Sequence, residues 1–243
     1  MSTNMWSQNA SLSGGTLSLS GISAAQLAKD FGTPTFFLDE DAFRSRALTW
    51  HNGLQREFGP HAGTIYYAAK SFICTAVAQW ISEIGIGIDV CTGGELAVAL
   101  AGGIDPQKIE VHGNNKSVSE IDRAVSVGVK TIVMDSIHEI DRVATVARSH
   151  KKVQGVMLRL TPGIQAHTHE SISTAHEDVK FGFSIASGAA WAAVEKVLSH
   201  PELELRGFHS HIGSQIFGTD SFQLAADRLI SLLAKYRDVY GKE

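Results

Sequence analysis

Lys70 is the residue of this sequence whose position most clearly allows covalent chemistry. It ends the run TIYYAAK, whose β-branched and aromatic residues are typical of a strand, and a helical pattern follows it. In a β/α barrel the carboxyl ends of the strands form the active-site face. An amine partly removed from water there can attack a carbonyl and form a Schiff base. The alternative is an ordinary lysine whose stem packs on the strand while its amine stays in solvent.

Two histidines, His209 and His211, lie two residues apart in GFHSHIGSQ. Side chains alternate along a strand, so both are expected on one face near the strand's carboxyl end. A flat imidazole there can stack on an aromatic ring. Gly213 allows close backbone approach to a ligand, and Ser214 offers a hydroxyl and an N–H to a phosphate group. A metal pair or core histidines are the alternatives.

Two charged residues interrupt apolar strand patterns. Asp89 lies in GIDV and Arg159 in VMLRL. A charge inside a barrel strand is costly unless it is paired. Arg159 therefore requires an anionic neighbour, which is either a ligand group or a carboxylate such as Asp89. His112 and Asn114, in the HGNNK segment that follows another strand, are expected to line the same mouth.

The segment QAHTHESISTAHEDVKFG contains His167, His169 and His176. Their spacing resembles a zinc site, but no strand or helix is predicted to fix them and no cysteine is close in sequence. A polar loop that covers the barrel mouth is the preferred interpretation, and no metal is predicted. The two cysteines, Cys74 and Cys91, are expected to be structural thiols.

The order of predicted elements indicates how these residues are positioned. ISAAQLAKDFG is a helix closed by glycine, TPTFFLD reads as a strand, and EDAFRSRALTWHNGLQREFG is a second helix. Six strand–helix units then follow, with strands in TIYYAAK, GIDV, IEVHG, TIVMD, GVMLRL and ELRGFHSHIG. The last helix is SFQLAADRLISLLAKYRDVYG. Repeated strand–helix units predict a parallel sheet with crossover helices.

The strands are short, evenly spaced and apolar on both faces, which favours a barrel over an open sheet. The fold class predicted is therefore α/β, a (β/α)8 barrel that is incomplete because six of about eight units are present. Residues 1–20 are rich in Ser, Gly and Asn and are predicted to form a flexible tail. Residues 21–243 are predicted to form the partial barrel domain.

Composition excludes several classes of function. The chain has 243 residues, 21 basic and 25 acidic, and a net charge of −4, so it has no general attraction to nucleic acid or anionic membranes. The amino terminus lacks the basic and apolar regions of a signal peptide, and no apolar run is long enough to cross a bilayer. Two cysteines cannot form a disulfide framework, which favours the cytoplasm.

Together the motifs YYAAKSF, DVCTGGEL, HGNNKS, AHTHESISTAHEDVKFG and GFHSHIGSQIF resemble diaminopimelate decarboxylase, in particular the actinobacterial type. The similarity runs in order from about Gly21 to the last residue. YAxK alone is shared with other proteins of the alanine racemase fold, whereas HIGSQ with KFG and HGNNK is more specific.

The resemblance implies an alanine racemase-like barrel with a C-terminal β domain, a homodimer and a pyridoxal 5′-phosphate cofactor. It implies decarboxylation of meso-2,6-diaminopimelate to L-lysine, the last step of lysine biosynthesis. Lys70 matches the lysine that binds the cofactor covalently, Asp89 an acidic residue near it, and Arg159 the arginine beside its ring. His211 matches the histidine stacked on the ring, and Ser214 the serine that reaches the phosphate.

The sequence departs from the family after its sixth unit. It contains no GGG phosphate loop and no EPG segment, and the C-terminal β domain is also absent. We therefore expect a C-terminally truncated form with little decarboxylase activity by itself. The alternatives are a related ornithine, arginine or lysine decarboxylase, a non-catalytic pyridoxal phosphate-binding barrel, a class I aldolase-type barrel, and a fragment that acts only with a full-length partner.

Overall fold

The computed structural model describes residues 6–163, 181–213, 216 and 218–241. The chain forms two compact units. The first comprises residues up to Ile65 together with Glu83–Ile86, and the second comprises Tyr66–Ser82 and the chain from Gly87 onward.

The first unit contains a small antiparallel sheet and two helices. Strands β1 (Ala10–Ser13), β2 (Thr16–Leu19) and β3 (Ile22–Ser23) lie in that order in the sheet. Helix α1 spans Ala24–Phe31 and helix α2 spans Glu40–Phe58. Both helices were predicted, and both end at a glycine as the sequence indicated.

Part of the predicted flexible tail has regular structure, because Asp39 binds the residues around the hairpin. Ser7 Oγ donates to Asp39 Oδ2 at 2.6 Å, and Asn9 Nδ2 donates to Oδ1 at 3.1 Å. The same carboxylate caps α2 by accepting from Ala42 N at 3.0 Å. The hydrogen bond from Ser7, followed by the one from Ala42, lowers the pKa of Asp39. The hairpin thus corrects the expectation of an unstructured segment, while the domain division at residue 20 stays a prediction.

The run TPTFFLD is not a strand, and this corrects the sequence prediction. Residues 33–39 have no regular structure, and no strand among the described residues pairs with them. Pro34 lacks the N–H that a ladder needs. Phe36 is fully exposed, at 102%, so its aromatic character does not reflect burial in a sheet.

The second unit contains a parallel sheet built from the six predicted strands. They are β4 (Tyr66–Ala68), β5 (Gly87–Val90), β6 (Ile109–Val111), β7 (Thr131–Met134), β8 (Gln154–Thr161) and β10 (Leu203–His209), and they neighbour each other in chain order. A short strand that the sequence did not reveal, β9 (Phe183–Ser184), pairs with the end of β8. The predicted succession of parallel strands is confirmed.

Helices alternate with these strands. They are α3 (Thr75–Ile84), α4 (Gly93–Ala101), α5 (Val118–Val127), α6 (Ile137–Ser149), α7 (Ala189–Leu198) and α8 (Asp220–Tyr240). Helix α3 begins at Thr75 and not directly after Lys70, where the helical pattern of the sequence starts, because a 3-10 turn over Ala69–Ser71 follows β4. Lys70 therefore lies in a turn directly after the strand.

The core lies between the sheet and its helices. Ile88, Ile109 and Ile132, from three adjacent strands, are completely buried, as are Ala124 and Val143 from the helices that cover them. Burying each isoleucine or valine side chain contributes about 1.5–3 kcal/mol to the stability of the fold. This apolar layer holds the strands in register and so fixes the relative positions of the residues at their ends.

The strand β10 contains a one-residue irregularity. Leu205 pairs with Val156, but the next pair in register is Gly207 with Met157, so Arg206 is the extra residue. Gly207 has φ of +149°, which a residue with a side chain rarely adopts. A β-bulge of this kind re-aims the side chains that follow it.

Three successive helices begin in the same way, with a hydroxyl residue at the N-cap and a glutamate three residues later. The pairs are Thr92 with Glu95, Ser117 with Glu120 and Ser136 with Glu139. In each case the hydroxyl accepts a hydrogen bond from the glutamate's backbone N–H. These caps fix the strand-to-helix connections of β5, β6 and β7.

Candidate active site

Lys70 lies among the polar residues at the carboxyl ends of the strands. Its 3-10 turn follows β4, and the residue remains accessible from solvent. The charge of its amine interacts with Asp89, His209 and His211. The structure therefore brings together the lysine and the histidine pair that the sequence placed on different strands.

Asp89 lies in β5 at the level of Ala68 in β4 and Glu110 in β6. Burial raises the pKa of Asp89, while the charges of His112 and then Lys70 oppose that rise. Asp89 thus lies beside the strand end, and its role as a site carboxylate stays a prediction.

Arg159 is paired with Asp135, not with Asp89, and this corrects one alternative of the sequence analysis. Its Nε lies 3.7 Å from Asp135 Oδ1, and both side chains are largely buried, at 12% and 6% exposure. Its guanidinium also lies 4.3 Å from the centre of the Phe181 ring, a cation–π contact. Burial lowers the pKa of Arg159 and Asp135 opposes the shift. The arginine therefore offers a fixed positive charge at the carboxyl end of β8.

Asp135 was missed by the sequence analysis, although a signal was present. It follows the buried strand TIVM directly, as His112 follows IEV. Carboxyl ends of parallel strands meet at one edge, so a polar residue immediately after a strand is a candidate for the site. Asp135 Oδ2 also accepts from Gly182 N at 3.0 Å, which ties down the backbone next to Phe181.

Burial favours the neutral form of both His209, the last residue of β10, and His211, two residues beyond it. Burial, followed by the charges of His112 and Arg159, lowers the pKa of His209 to about 2. Burial, followed by the charge of Lys70, lowers the pKa of His211 to about 4. His209 meets His112 edge to face, with ring centres 4.7 Å apart and planes at 81°. Neutral rings can lie beside Lys70 and Arg159 without charge repulsion.

Several buried polar atoms at this edge have no hydrogen-bond partner among the described residues. They are His112 Nε2, Asp135 Oδ1, His209 Nδ1 and Ser210 Oγ. Buried polar atoms are usually satisfied, and exceptions require an explanation. A polar ligand that reaches this edge of the sheet would satisfy them.

Some of the predicted site residues are not part of the described chain. Ser214 and the histidines of the predicted lid, His167, His169 and His176, lie outside the described residues. Gly213 has φ of +129°, which favours glycine at the position before Ser214. Asn114 is exposed in the connection after β6.

A separate cavity of about 1080 Å³ lies within the first unit. Leu27, Phe37 and Trp50 are among its lining residues. Its carboxylate, Asp39, is already occupied by the hydrogen bonds around the hairpin. The cavity thus lacks the convergent reactive groups found at the strand ends of the second unit.

No helix in the described part of the chain is long and apolar enough to span a membrane. The same residues contain no cluster of three or more histidine, cysteine or acidic side chains arranged to hold a metal ion.

Comparison with curated proteins identifies close relatives. The chain is 53% identical over 243 residues to diaminopimelate decarboxylase of Mycobacterium tuberculosis, covering all of this chain and 53% of that protein. It is 39% identical over 239 residues to the enzyme of the same name from Corynebacterium efficiens, covering 98% and 51%. The chain thus spans about half the length of the curated relatives it matches.

Comparison with solved structures agrees. The crystal structure of diaminopimelate decarboxylase from M. jannaschii in complex with L-lysine matches with a TM-score of 0.87 and 26% sequence identity. The match covers 98% of this chain and 55% of that one. The parallel sheet and its helices therefore have the barrel fold of these decarboxylases, as the sequence predicted.

The family model described as "Pyridoxal-dependent decarboxylase, pyridoxal binding domain" matches residues 40–243. This range includes the whole parallel sheet and every described residue of the strand-end site. The chain therefore belongs to the pyridoxal-dependent decarboxylase family.

Proposed function

We propose that this chain binds pyridoxal 5′-phosphate through Lys70 and contributes the cofactor-binding part of a diaminopimelate decarboxylase. The observation that carries the proposal is the amine of Lys70 near three partly buried groups: the carboxylate of Asp89, the imidazole of His211 and the guanidinium of Arg159. The similarity to enzymes named diaminopimelate decarboxylase supports meso-2,6-diaminopimelate as the substrate and L-lysine as the product.

The described residues fit this cofactor in chemistry. Its aldehyde matches the primary amine of Lys70, and its ring matches the neutral imidazole of His211. Its polar substituents could hydrogen-bond to His209 Nδ1 and Ser210 Oγ, which are buried and have no hydrogen-bond partner among the described residues. Ser214, which the sequence assigns to the phosphate, is part of the proposal and lies outside the described residues.

The roles of the side chains follow from their charge and position. When bound, pyridoxal phosphate withdraws electrons from the bond to the departing carboxylate. Lys70 Nζ holds the cofactor in place and can accept or return a proton there. Arg159, held by Asp135, keeps a positive charge next to the site, and the neutral His211 leaves room for a flat ring. Burial of Arg159 and Asp135 strengthens their electrostatic effects.

Lys70 provides the test. The purified chain is incubated with pyridoxal phosphate, reduced with borohydride and digested, and the modified peptide is identified by mass spectrometry. We expect modification at Lys70 and an absorbance band near the visible edge, both lost in Lys70→Ala. Lys70→Arg is the matched control, because it keeps the positive charge but cannot condense with the aldehyde. Trapping at other lysines in both variants would contradict the proposal.

Decarboxylation is measured separately from cofactor binding, because the chain spans about half of its relatives' length. Release of carbon dioxide is compared for meso-diaminopimelate, ornithine, arginine and lysine. Preference for diaminopimelate supports the proposed substrate. Preference for another of these amino acids would keep the cofactor assignment and replace the substrate.

We further propose a cytoplasmic homodimer. Cys74 and Cys91 are both free, which agrees with a reducing compartment. The homodimer rests on the family resemblance. Light scattering coupled to size exclusion gives the mass in solution, and a monomer at micromolar concentration would contradict this assignment.

A further inference from the structure

A buried ion pair lies next to the carboxyl end of β7, close to the candidate site. Lys116 Nζ and Glu139 Oε1 are 2.7 Å apart, and their side chains are 2% and 5% exposed. Desolvating two charges costs about as much as their attraction returns, so such a pair is a weak stabilising device. A role in fixing local geometry is the alternative explanation.

The amine of Lys116 joins two strand-end connections. Besides Glu139, it donates to Gly113 O and to Val133 O, each at 2.6 Å. All three N–H groups of the ammonium therefore have acceptors. The segment after β6 is thereby attached to the end of β7.

Glu139 continues this network toward the site. Its second oxygen, Oε2, accepts from the backbone N–H of Asp135 at 2.7 Å. Asp135 in turn faces Arg159 through Oδ1, at 3.7 Å, and holds Gly182 N through Oδ2, at 3.0 Å. An unbroken series of contacts thus leads from Lys116 to Arg159.

The capping glutamates of the two preceding helices, α4 and α5, can be compared with Glu139 of α6. Glu95 accepts from Cys91 N at 2.5 Å, so it holds the end of β5 as Glu139 holds the end of β7. Within the described residues, Glu95 and Glu120 have no ion pair within 4 Å, whereas Glu139 has Lys116. Glu139, the glutamate with an ion pair, therefore holds the end of β7, which carries Asp135, the partner of Arg159.

We propose that Lys116 and Glu139 are positioning residues for the cofactor pocket. They fix the backbone of Asp135 so that its carboxylate holds the Arg159 guanidinium at the strand ends. This inference rests on the proposed cofactor site for its functional meaning, but its structural part concerns only the chain itself.

Two double variants test the proposal. Lys116→Met with Glu139→Leu removes both charges together, so no unpaired charge stays buried, and also removes the acceptor for Asp135 N–H. Lys116→Met with Glu139→Gln restores an acceptor oxygen of similar reach. Hydrogen–deuterium exchange is measured without cofactor at residues 134–136 and 181–182. We expect faster exchange there in the leucine variant and recovery in the glutamine variant.

Cofactor affinity provides the second measurement. We expect pyridoxal phosphate to bind about tenfold more weakly to the leucine variant. Adding Asp135→Asn to that variant is expected to weaken binding little further, because both changes act through one carboxylate. Glu120→Leu is the matched control, since it removes the equivalent glutamate of α5 and is expected to leave exchange at Asp135 unchanged.

The outcomes separate the two proposals. Unchanged exchange at Asp135 in the leucine variant, or fully additive losses of affinity with Asp135→Asn, would overturn the positioning role. If the unmodified chain binds no pyridoxal phosphate, the proposed function fails, and the exchange measurement still decides whether Lys116 and Glu139 fix Asp135.

Discussion

The two ends of the parallel strands contain similar residue types but satisfy them differently. At the amino ends, Lys130 Nζ donates to Tyr66 OH at 2.9 Å, Gln154 Nε2 to Val129 O at 3.1 Å, and Arg206 Nη1 to Lys130 O at 2.7 Å. At the carboxyl ends, four buried polar atoms have no hydrogen-bond partner among the described residues, although one of them, Asp135 Oδ1, faces Arg159 at 3.7 Å. The polar groups of one end complete the scaffold, and those of the other end are available to a ligand.

The contrast has exceptions that do not reverse it. Of the six buried polar atoms without a partner in the described part of the chain, four lie at the carboxyl ends. The other two are Thr131 Oγ1 and Glu202 Oε2, and the carboxylate of Glu202 is already bound by Arg148 through Oε1 at 2.5 Å. Within the described residues, buried polar atoms without a hydrogen bond thus concentrate at the end that carries Lys70.

Exchanging the two lysines for methionine is expected to give the largest contrast. Lys70→Met should lose borohydride trapping of pyridoxal phosphate completely while folding normally. Lys130→Met should retain trapping but lower the free energy of unfolding by about 1–2 kcal/mol, because Tyr66 loses its hydrogen bond. Urea unfolding and mass spectrometry of the reduced protein measure both effects. Equal losses of trapping in the two variants would remove the functional distinction between the ends.

Aromatic substitutions at the two ends are expected to change stability in opposite directions. His209→Phe replaces a buried imidazole whose Nδ1 lacks a partner, so the free energy of unfolding should rise by about 1 kcal/mol in the absence of cofactor. Tyr66→Phe removes the acceptor of Lys130 and should lower it by about 1 kcal/mol. The comparison uses the midpoints of urea unfolding, with the dependence of the unfolding free energy on urea concentration unchanged between the variants. A loss of stability in both variants would show that His209 is satisfied like the amino-end residues.

Acidification is expected to destabilise the carboxyl end through its histidines. The pKa of His211 falls from 6.5 in the unfolded chain to about 4 in the fold, chiefly through burial. Between these values the unfolded chain binds a proton that the fold excludes, so stability decreases as pH falls from 6.5 toward 4. Because the ring is partly exposed, we expect a slope below the limit of about 1.4 kcal/mol per pH unit.

The measurement is urea unfolding at several pH values in this window, with His211→Asn as the control. The free energy of unfolding of the unmodified chain, relative to that of the variant, should decrease steadily as pH falls from 6.5 to 4.5. A difference independent of pH would mean that the ring of His211 is already hydrated.

Sequence patterns predicted the sheet of the second unit well because its strands are buried on both faces. GIDV, IEV and TIVM have few polar residues and are each followed by a capped helix, so their type and order were readable. TPTFFLD has a similar composition but no partner strand, and pairing cannot be read from local composition. Strand β9 was missed since two residues carry no periodic signal.

The same limit applies to the site. Lys70, Asp89 and Arg159 were recognisable because each is a charge at or inside an apolar strand. Such a charge is costly to bury unless it is paired. The partner of Arg159 depends on which strands are adjacent and on their register, so the sequence suggested Asp89 and did not single out Asp135. The Lys116–Glu139 pair joins two connections 23 residues apart, and no pattern in either segment indicates it.

The bulge in β10 decides which residues reach the site. Because Arg206 is accommodated as an additional residue, His209 lies opposite Arg159 in the register, and His211 follows on the same side. A regular ladder from Leu205 would bring Phe208 and Ser210 to those places and turn both imidazoles toward the helices. Deleting Arg206 would therefore place a phenyl and a hydroxyl where the two imidazoles now lie, although no residue of the pocket is itself substituted.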